Sequence, residues 1–210
     1  MKVRLNITKL YLIRHGQTDP GRERKYCGAR DVPLNDTGRR QAELLAGRFN
    51  GVALDAVFAS DLARAVQTAE ISLKVANVVK LPCFREMDFG VCEGLGYDEA
   101  RQKHADIFDS WVNSPMEVTL PGGESFSALC SRVINGIDAL VAGNPGRNIV
   151  LVAHGGPIRV ILLSALGRGM QDFWSLKQDN AALNVIEYIP GQAPAVLAMN
   201  DTEHLNGLEL

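Results

Sequence analysis

The 210-residue sequence has no excess of charge of either sign, because 22 basic residues stand against 24 acidic residues and give a net charge of −2. A dedicated nucleic-acid-binding protein normally has a clearly basic balance, so nucleic acid is not expected as a partner. Long apolar segments are missing too. The longest of them, such as 149–153 and 160–163, fall far short of the roughly 20 residues that a membrane helix needs. The sequence therefore predicts neither nucleic-acid binding nor insertion into a membrane.

Cysteine is sparse, and no two of the four cysteines have the C-x-x-C spacing of a zinc ribbon or a redox motif. They are Cys27, Cys83, Cys92 and Cys130. Four cysteines in 210 residues are too few for a disulfide scaffold and favour a reducing compartment. The first ten residues also lack the uninterrupted apolar segment of a signal peptide. Together these absences predict a cytoplasmic protein without a metal site.

Length and composition are those of one globular domain spanning 1–210, since 46% of the residues are hydrophobic and 22% are charged. Short apolar segments alternate with longer stretches of helical periodicity. Strands are predicted at 10–13, 53–59, 78–84, 148–153, 182–188 and 196–199. One helix is predicted to begin near Asn35, a second after a cap at Ser60 or Asp61, and a third with Pro157 as its first residue. Two further helices are predicted at 97–111 and 125–141. This alternation predicts an α/β fold of three layers, α/β/α, around a mostly parallel sheet, with a helical insertion at about 95–145.

Two histidines follow predicted strands, and a glycine comes directly after each of them. His15 follows the strand at 10–13, and His154 follows the strand at 148–153. Ligands of open α/β sheets bind outside the carboxyl ends of the strands, so both histidines are predicted to face one pocket. The helix predicted to start at Pro157 would add free N–H groups that suit an anion. For either histidine alone, a turn without a function is the alternative.

Two other strand ends carry charged side chains that bear on the same pocket. Arg64 lies one turn into the helix that follows 53–59, where its planar guanidinium would join Arg14 on a phosphate. A solvated arginine on a helix surface is the alternative. A carboxyl group after 78–84 would serve as a general acid or base. Three acids compete for that role, and spacing alone does not choose among them: Glu86, Asp88 and Glu93.

Six short motifs occur together and in one order between Leu10 and Leu166. They are Leu12-Ile13-Arg14-His15-Gly16 with Thr18, Pro33 to Gly38 with Gln41-Ala42, Ser60 to Ala69, Glu86 with Phe89-Gly90 and Glu93-Gly94, Pro121-Gly122-Gly123-Glu124-Ser125, and Val152-Ala153-His154-Gly155-Gly156. In this combination they resemble the histidine phosphatase superfamily, the phosphoglycerate-mutase-like proteins. The resemblance implies phosphoryl transfer without a metal or any other cofactor.

The resemblance also implies the catalytic roles. His15 would be the nucleophile that takes the phosphoryl group, and Glu86, not Asp88 or Glu93, matches the proton donor of the family. Close relatives have an aromatic residue just before the Glu-Gly pair, and this sequence has Cys92 there. Because that position is not catalytic, we expect Cys92 to affect packing rather than chemistry.

A set of five residues is expected to bind the phosphoryl group: Arg14, Gln17, Arg64, His154 and Gly155. The two arginines can neutralise the charge on the phosphoryl oxygens without a metal ion. Their positive charge also disfavours protonation of His15, since a like charge disfavours the imidazolium form. The expected nucleophile is therefore a neutral imidazole.

The insertion bears on the choice between two activities of the family. Between Glu93 and Glu124 the only lysine and arginine are Arg101 and Lys103, against five acidic residues. Phosphoglycerate mutases of the family carry further basic residues there to hold a carboxylate and a second phosphate. The sequence therefore favours a phosphatase over a cofactor-dependent phosphoglycerate mutase. A non-catalytic relative that only binds a phosphorylated ligand is a further alternative.

The expected partner is a small phosphorylated metabolite. Trp111, the Pro-Gly-Gly-Glu-Ser motif and the short chain resemble alpha-ribazole phosphatases, which implies alpha-ribazole 5′-phosphate as a candidate substrate. Tyr97, Phe108 and Trp111 would stack on an aromatic base of such a substrate. An apolar helix face packed on the sheet is the alternative that we favour for these three residues. The sequence leaves a homodimer open.

The near-neutral total charge conceals an uneven distribution. Residues 1–64 have 12 basic and 7 acidic side chains, whereas residues 65–210 have 10 and 17. The basic part contains Arg14, His15 and Arg64. This distribution predicts a positively charged pocket for a small anion, covered by the acidic insertion.

Overall fold

The protein is described by a computed structural model of residues 6–208. Its strands are β1 (Thr8–Arg14), β2 (Ala56–Ala59), β3 (Val79–Lys80), β4 (Asn148–Ala153), β5 (Leu183–Tyr188) and β6 (Ala195–Asp201). Its helices are α1 (Asp19–Arg22), α2 (Asp36–Leu45), α3 (Ala63–Leu73), α4 (Tyr97–Lys103), α5 (Ala105–Asn113), α6 (Phe126–Ala142) and α7 (Gly155–Ala165). Within residues 6–208, no helix combines the length and the apolar character needed to cross a membrane.

The strands form one sheet in the order β3-β2-β4-β1-β5-β6. The first four strands are parallel to one another, and β5 and β6 are antiparallel to their neighbours. Helices cover both faces, which confirms the predicted three-layer α/β/α fold with a mostly parallel sheet. The predicted insertion contains α4, α5 and α6 and has no strand.

Alternate residues of the central strand β4 point into two different cores. Ile149, Leu151 and Ala153 pack with α6 and α7, whereas Val150 and Val152 pack with α2 and α3. All five side chains are fully buried. A strand that is apolar on both faces is typical of a parallel sheet between two helical layers.

Three element boundaries differ from the prediction. The predicted strand 78–84 is only β3, because Pro82 has no N–H for the ladder and opens a 3₁₀ turn. The predicted helix 97–111 is divided at His104, whose backbone is not helical, into α4 and α5. The second strand begins at Ala56 rather than at residue 53.

Two predicted helix starts also need correction. Neither Ser60 nor Asp61 caps α3; instead Asp31, from a distant loop, accepts a hydrogen bond from the Ala63 amide at 2.6 Å. Asp61 is engaged in a bidentate pair with Arg85. Pro157 is the third residue of α7 and not the first. By contrast, α2 begins next to Asn35 as predicted, and the Asn35 side chain caps it by accepting a hydrogen bond from the backbone of Gly38.

Candidate active site

The two histidines that follow strands lie side by side. Strands β1 and β4 pair in register up to Arg14 and Ala153, so the next residue of each strand leaves the sheet at the same edge. The imidazole rings of His15 and His154 have their centroids 4.9 Å apart. The structure thus brings together the residues that the sequence placed at one carboxyl edge.

The ring of His15 has a defined proton position. Its Nδ1 lies 2.7 Å from the carbonyl oxygen of Gly16, and because a carbonyl oxygen only accepts, Nδ1 carries the proton. The other nitrogen, Nε2, therefore holds a lone pair. Burial lowers the pKa of His15 well below its ordinary value, and the nearby cations Arg64 and Arg14 lower it further. A neutral imidazole of this kind is a nucleophile at neutral pH.

The ring of His154 has the opposite tautomer. The Nε of Arg64 donates to its Nδ1 at 3.2 Å, so the proton of the neutral ring lies on Nε2. This Nε2 is buried and has no hydrogen-bond partner among residues 6–208. Burial lowers the pKa of His154 well below its ordinary value, with further lowering by Arg64, His15 and Arg14. An unpaired buried N–H favours an acceptor supplied by a ligand.

Arg64 is not the solvated helix arginine that the sequence left open, because only 1% of it is exposed. Its Nη1 donates to the carbonyl of Arg30 and its Nη2 to the carbonyl of Gly28, each at 2.8 Å. Burial lowers its pKa from the ordinary value of an arginine. These bonds fix the guanidinium beside His154, where it lines the same hollow as His15.

Arg14 is the second cation of the cluster. Its Nη1 donates to the carbonyl of Gln178, while its Nε is buried and finds no partner within residues 6–208. Burial lowers its pKa, and the nearby Glu86 carboxylate opposes that effect. Arg14 Nε and His154 Nε2 are thus two unsatisfied donors at one site, an arrangement that fits the oxygens of an anion.

The three competing acids have different surroundings. Both carboxylate oxygens of Glu86 lie 3.1 Å from the amide nitrogen of Gly156, and Glu86 lines the hollow with His15. Asp88 accepts instead from the amide of Gly90. Glu93 accepts from three loop amides, those of Gly28, Ala29 and Phe89. Only Glu86 is placed for proton transfer at the hollow.

The hollow has a volume of about 200 Å³. It is lined by Arg14, His15, Thr18, Gly21, Lys25, Tyr26, Cys27, Arg64, Glu86, Phe89 and Asn180. A larger hollow of about 450 Å³ lies beside the C-terminal end of α3, but none of the predicted site residues lines it. The smaller hollow is therefore the candidate active site.

The last two predicted phosphate contacts differ in their positions. Gly155 borders the cluster: a Cβ atom there would lie 3.6 Å from Glu86 Oε2 and 3.8 Å from Arg14 Nε. Gln17 lines a neighbouring hollow, and its side-chain oxygen accepts a hydrogen bond from Asn35. The structure therefore brings together the predicted site residues except Gln17.

Sequence reasoning missed Arg159, which lies one turn after Gly155 on α7. Its Nη1 would be 3.3 Å from a Cβ atom at Gly155, and its Nε donates to the carbonyl of Leu176. Phe173 and Trp174 flank the guanidinium at 5.5 and 5.7 Å from their ring centroids. The signal was present, because residues four apart on a helix share a face.

The aromatic residues of the insertion pack together. Phe108 and Trp111 are buried, and both rings lie within 6 Å of the Tyr26 ring, at 5.9 and 5.8 Å between centroids. Cys92 belongs to the same buried cluster, in agreement with its expected role in packing. The cluster rests on loop residues rather than on the sheet, and Tyr26 and Phe89 form its side toward the hollow. Stacking of a substrate on Phe108 or Trp111 is therefore excluded by their burial.

Comparison with known proteins identifies the family. The model of the histidine phosphatase superfamily (branch 1) matches residues 10–202. The chain belongs to this superfamily. The resemblance seen in the sequence motifs is thereby confirmed.

The names of individual relatives in the superfamily indicate several activities. A bifunctional protein of Mycobacterium tuberculosis is 36% identical over 203 residues, which cover 94% of this chain and 55% of that protein. The chain thus spans about half the length of this relative. Phosphoserine phosphatase 1 of Hydrogenobacter thermophilus is 32% identical over 201 residues, with 95% of both chains covered. The crystal structure of the alpha-ribazole phosphatase from Shigella flexneri has a TM-score of 0.86 at 28% identity and covers 92% of this chain and 96% of that one.

Proposed function

We propose that this histidine phosphatase is a metal-independent phosphomonoesterase that hydrolyses a small phosphorylated metabolite through a phosphohistidine. The observation that carries the proposal is the lone pair on His15 Nε2, held beside Arg14, the buried Arg64 and the unpaired Nε2–H of His154. A nucleophile next to unsatisfied donors matches the needs of phosphoryl transfer, in which the protein positions the group and stabilises its charge.

In the first step, His15 Nε2 attacks the phosphorus atom in line with the ester oxygen. A nitrogen–phosphorus bond forms, the phosphorus–oxygen ester bond breaks, and the proton of Glu86 goes to the departing alcohol oxygen. Arg14, Arg64 and His154 hold the other three oxygens. The Nδ1–H bond to Gly16 stabilises the ring as it gains positive charge.

In the second step, water attacks the phosphohistidine. The Glu86 carboxylate takes a proton from the water, the nitrogen–phosphorus bond breaks, and inorganic phosphate leaves with His15 again neutral. Covalent catalysis thus divides one difficult displacement into two easier ones. The amide of Gly155 is the proposed backbone contact to the phosphate. Gln17 would make its predicted contact only after leaving Asn35, from which its side-chain oxygen now accepts a hydrogen bond.

The identity of the substrate is proposed from the sequence and from the relatives. Alpha-ribazole 5′-phosphate remains our candidate substrate, and the Hydrogenobacter relative adds phosphoserine. The acidic insertion continues to favour a phosphatase over a phosphoglycerate mutase. Four free cysteines are compatible with the proposed cytoplasmic location, and a homodimer remains a prediction.

A panel of phosphate esters tests the proposal. We expect the protein to release phosphate from one or more of alpha-ribazole 5′-phosphate, phosphoserine and 3-phosphoglycerate without added metal. The mutase alternative is tested in parallel with 3-phosphoglycerate and its bisphosphate primer, where product isomer rather than free phosphate would appear. Well-folded protein that turns over none of these esters, nor p-nitrophenyl phosphate, would contradict the proposal and support a binding role.

A further inference from the structure

Arg132 lies on α6, outside the hollow, and all five of its N–H donors are used. Its Nε and Nη2 donate to the two carboxylate oxygens of Glu124 at 2.6 and 2.7 Å. Its Nη1 donates to the carbonyls of Cys83 and Arg85 at 2.8 and 2.7 Å, and Nη2 also donates to the carbonyl of Glu86 at 3.2 Å. A guanidinium with five donors engaged has none left for a substrate. We therefore look for the role of Arg132 in the segment 83–86, whose carbonyl groups it binds.

That segment carries the proposed proton donor but has no regular structure of its own. After the 3₁₀ turn at 82–84, residues 85–89 belong to neither a helix nor a strand. Carbonyl groups of such a segment find no partners in a ladder, so side chains must supply them. Arg132 bonds to the carbonyl of Glu86 itself and to that of the residue before it. Arg132, a residue of the insertion, thus holds the backbone from which the Glu86 side chain projects.

Glu124, the partner of Arg132, is held against the same segment. Its amide donates to the carbonyl of Asp88 at 2.9 Å. In the preceding turn, a Cβ atom at Gly123 would lie 2.7 Å from the Asp88 carbonyl oxygen, so only glycine permits this approach. Both oxygens of the Glu124 carboxylate accept hydrogen bonds from Arg132. The Pro-Gly-Gly-Glu motif, which the reaction does not use directly, therefore forms the support on which this backbone rests.

We infer that Arg132 and Glu124 are a positioning pair that fixes the backbone at Glu86 and so holds its carboxyl group at the leaving-group oxygen. The inference rests on the proposed function, because a proton donor needs positioning only if the ester bond is broken here. Both side chains are mostly shielded, with 22% and 17% of their surface exposed. Neither residue lines the hollow that holds His15.

Comparing kcat/KM on two esters with different leaving groups distinguishes a loss of Glu86 positioning from a general effect on the fold. p-Nitrophenolate departs without a proton, whereas the alkoxide of glycerol 2-phosphate needs one. General acid catalysis contributes on the order of 10²–10⁴-fold, so partial loss of positioning in Arg132→Met should lower kcat/KM on glycerol 2-phosphate by roughly 10–10²-fold. On p-nitrophenyl phosphate we expect a change within about threefold, because kcat/KM there reports a step without proton transfer.

Three further variants complete the experiment. Glu124→Gln should show the same selectivity with a smaller loss, and it keeps the test open if Arg132→Met does not fold. Arg132→Lys should restore part of the activity on glycerol 2-phosphate, since it keeps the charge and some of the donors. Arg101→Met removes an exposed ion pair with Asp109 in the same insertion and should affect neither ester.

A double-mutant cycle with Glu86→Gln then tests whether Arg132 acts through Glu86. We expect the loss from Arg132→Met on glycerol 2-phosphate to vanish in the Glu86→Gln background, because coupled residues are not additive. Equal losses on both esters, or additive losses in the cycle, would overturn the inference while the proposed function stands. Well-folded wild-type protein that turns over neither of these two esters nor any ester of the panel would overturn the proposed function and the inference with it.

Discussion

Arg64 donates its Nε proton to Nδ1 of His154 over 3.2 Å, and this bond places the proton of the neutral imidazole on Nε2. The same guanidinium is anchored by the carbonyls of Arg30 and Gly28, both in the loop that follows α1. One side chain therefore supplies positive charge and also selects the tautomer of its neighbour. A charge alone would not give the second effect.

The substitution Arg64→Lys separates these two effects. Lysine keeps the charge, but its single ammonium group cannot reproduce the three directed bonds of the guanidinium. We expect kcat/KM on the best phosphate ester to fall by about 10²-fold or more, the size typical of losing a fixed donor to developing charge. Arg40→Lys, at an exposed site on α2, is the matched control and should behave as wild type. A fully active Arg64→Lys would show that charge alone is sufficient.

The pH dependence should respond to Arg64 in a defined direction. Burial and then the charges of Arg64 and Arg14 hold the pKa of His15 well below its ordinary value, so the wild-type nucleophile is still neutral at pH 6.5. Arg64→Met removes one of the cations, which raises the pKa of His15. The acid limb of the kcat/KM profile should therefore move to higher pH, measured against Arg40→Met. An acid limb that stays in place would argue against His15 as the titrating group.

His15→Ala tests the nucleophile itself. Without Nε2 no phosphoenzyme forms, and we expect turnover to fall by on the order of 10³-fold or more. Rapid quenching of wild-type protein with ³²P-labelled substrate should trap a label that is stable in alkali and labile in acid, and the variant should give none. His104→Ala, at the junction of α4 and α5, serves as the control and should retain the label. Near wild-type hydrolysis by His15→Ala would refute the assignment.

The sequence allowed prediction of the parts of the site that depend on local order along the chain. His15 and His154 were placed together because each follows an apolar segment, and parallel strands share a carboxyl edge. The choice of Glu86 over Asp88 and Glu93 could not be made from spacing, because it depends on which amides the loop at 28–29 and the first turn of α7 at Gly156 present. The family resemblance supplied what the spacing did not.

Contacts between segments far apart in the sequence could not be predicted either, because they also depend on how the chain folds. Asp31 caps α3 across more than thirty residues, and Arg132 binds carbonyls nearly fifty residues earlier in the chain. Such pairs are set by how the layers pack, and nothing in the local pattern around Asp31 or Arg132 indicates a partner. Arg159 differs from them, because its position four residues after Gly155 would have been sufficient to find it.

The two buried neutral histidines should also make stability depend on pH. In the unfolded chain His15 and His154 titrate near their ordinary value of about 6.5, whereas the folded pKa values lie well below it. Below pH 6.5 the unfolded state therefore binds more protons, and the free energy of unfolding falls as the pH falls toward the folded pKa values. Each histidine contributes a slope of up to about 1.4 kcal/mol per pH unit in that window.

Urea unfolding at pH 7.5, 6.0 and 5.0 measures this slope. Carboxylates contribute equally in wild type and in His15→Ala, so the difference between the two isolates one histidine. We expect the variant to lose up to about 1.4 kcal/mol per pH unit less than wild type between pH 6.0 and 5.0. Parallel curves for wild type and His15→Ala would contradict a buried neutral His15.

Chelation tests whether the charge of the transferring group is neutralised by protein side chains alone. Arg14 and the buried Arg64 provide two cations, and within residues 6–208 no group of three His, Cys, Asp or Glu side chains is arranged to hold a metal ion. Arginine and metal ions stabilise the same charge on the equatorial oxygens, so a site with two fixed guanidinium groups needs no ion for that purpose. Activity should therefore be unchanged after dialysis against EDTA, with residual metal checked by mass spectrometry. Loss of activity on dialysis that is reversed by adding Mg²⁺ or Mn²⁺ would contradict metal independence. Arg64→Met, assayed in the same way, would show whether a metal cation can substitute for the missing guanidinium.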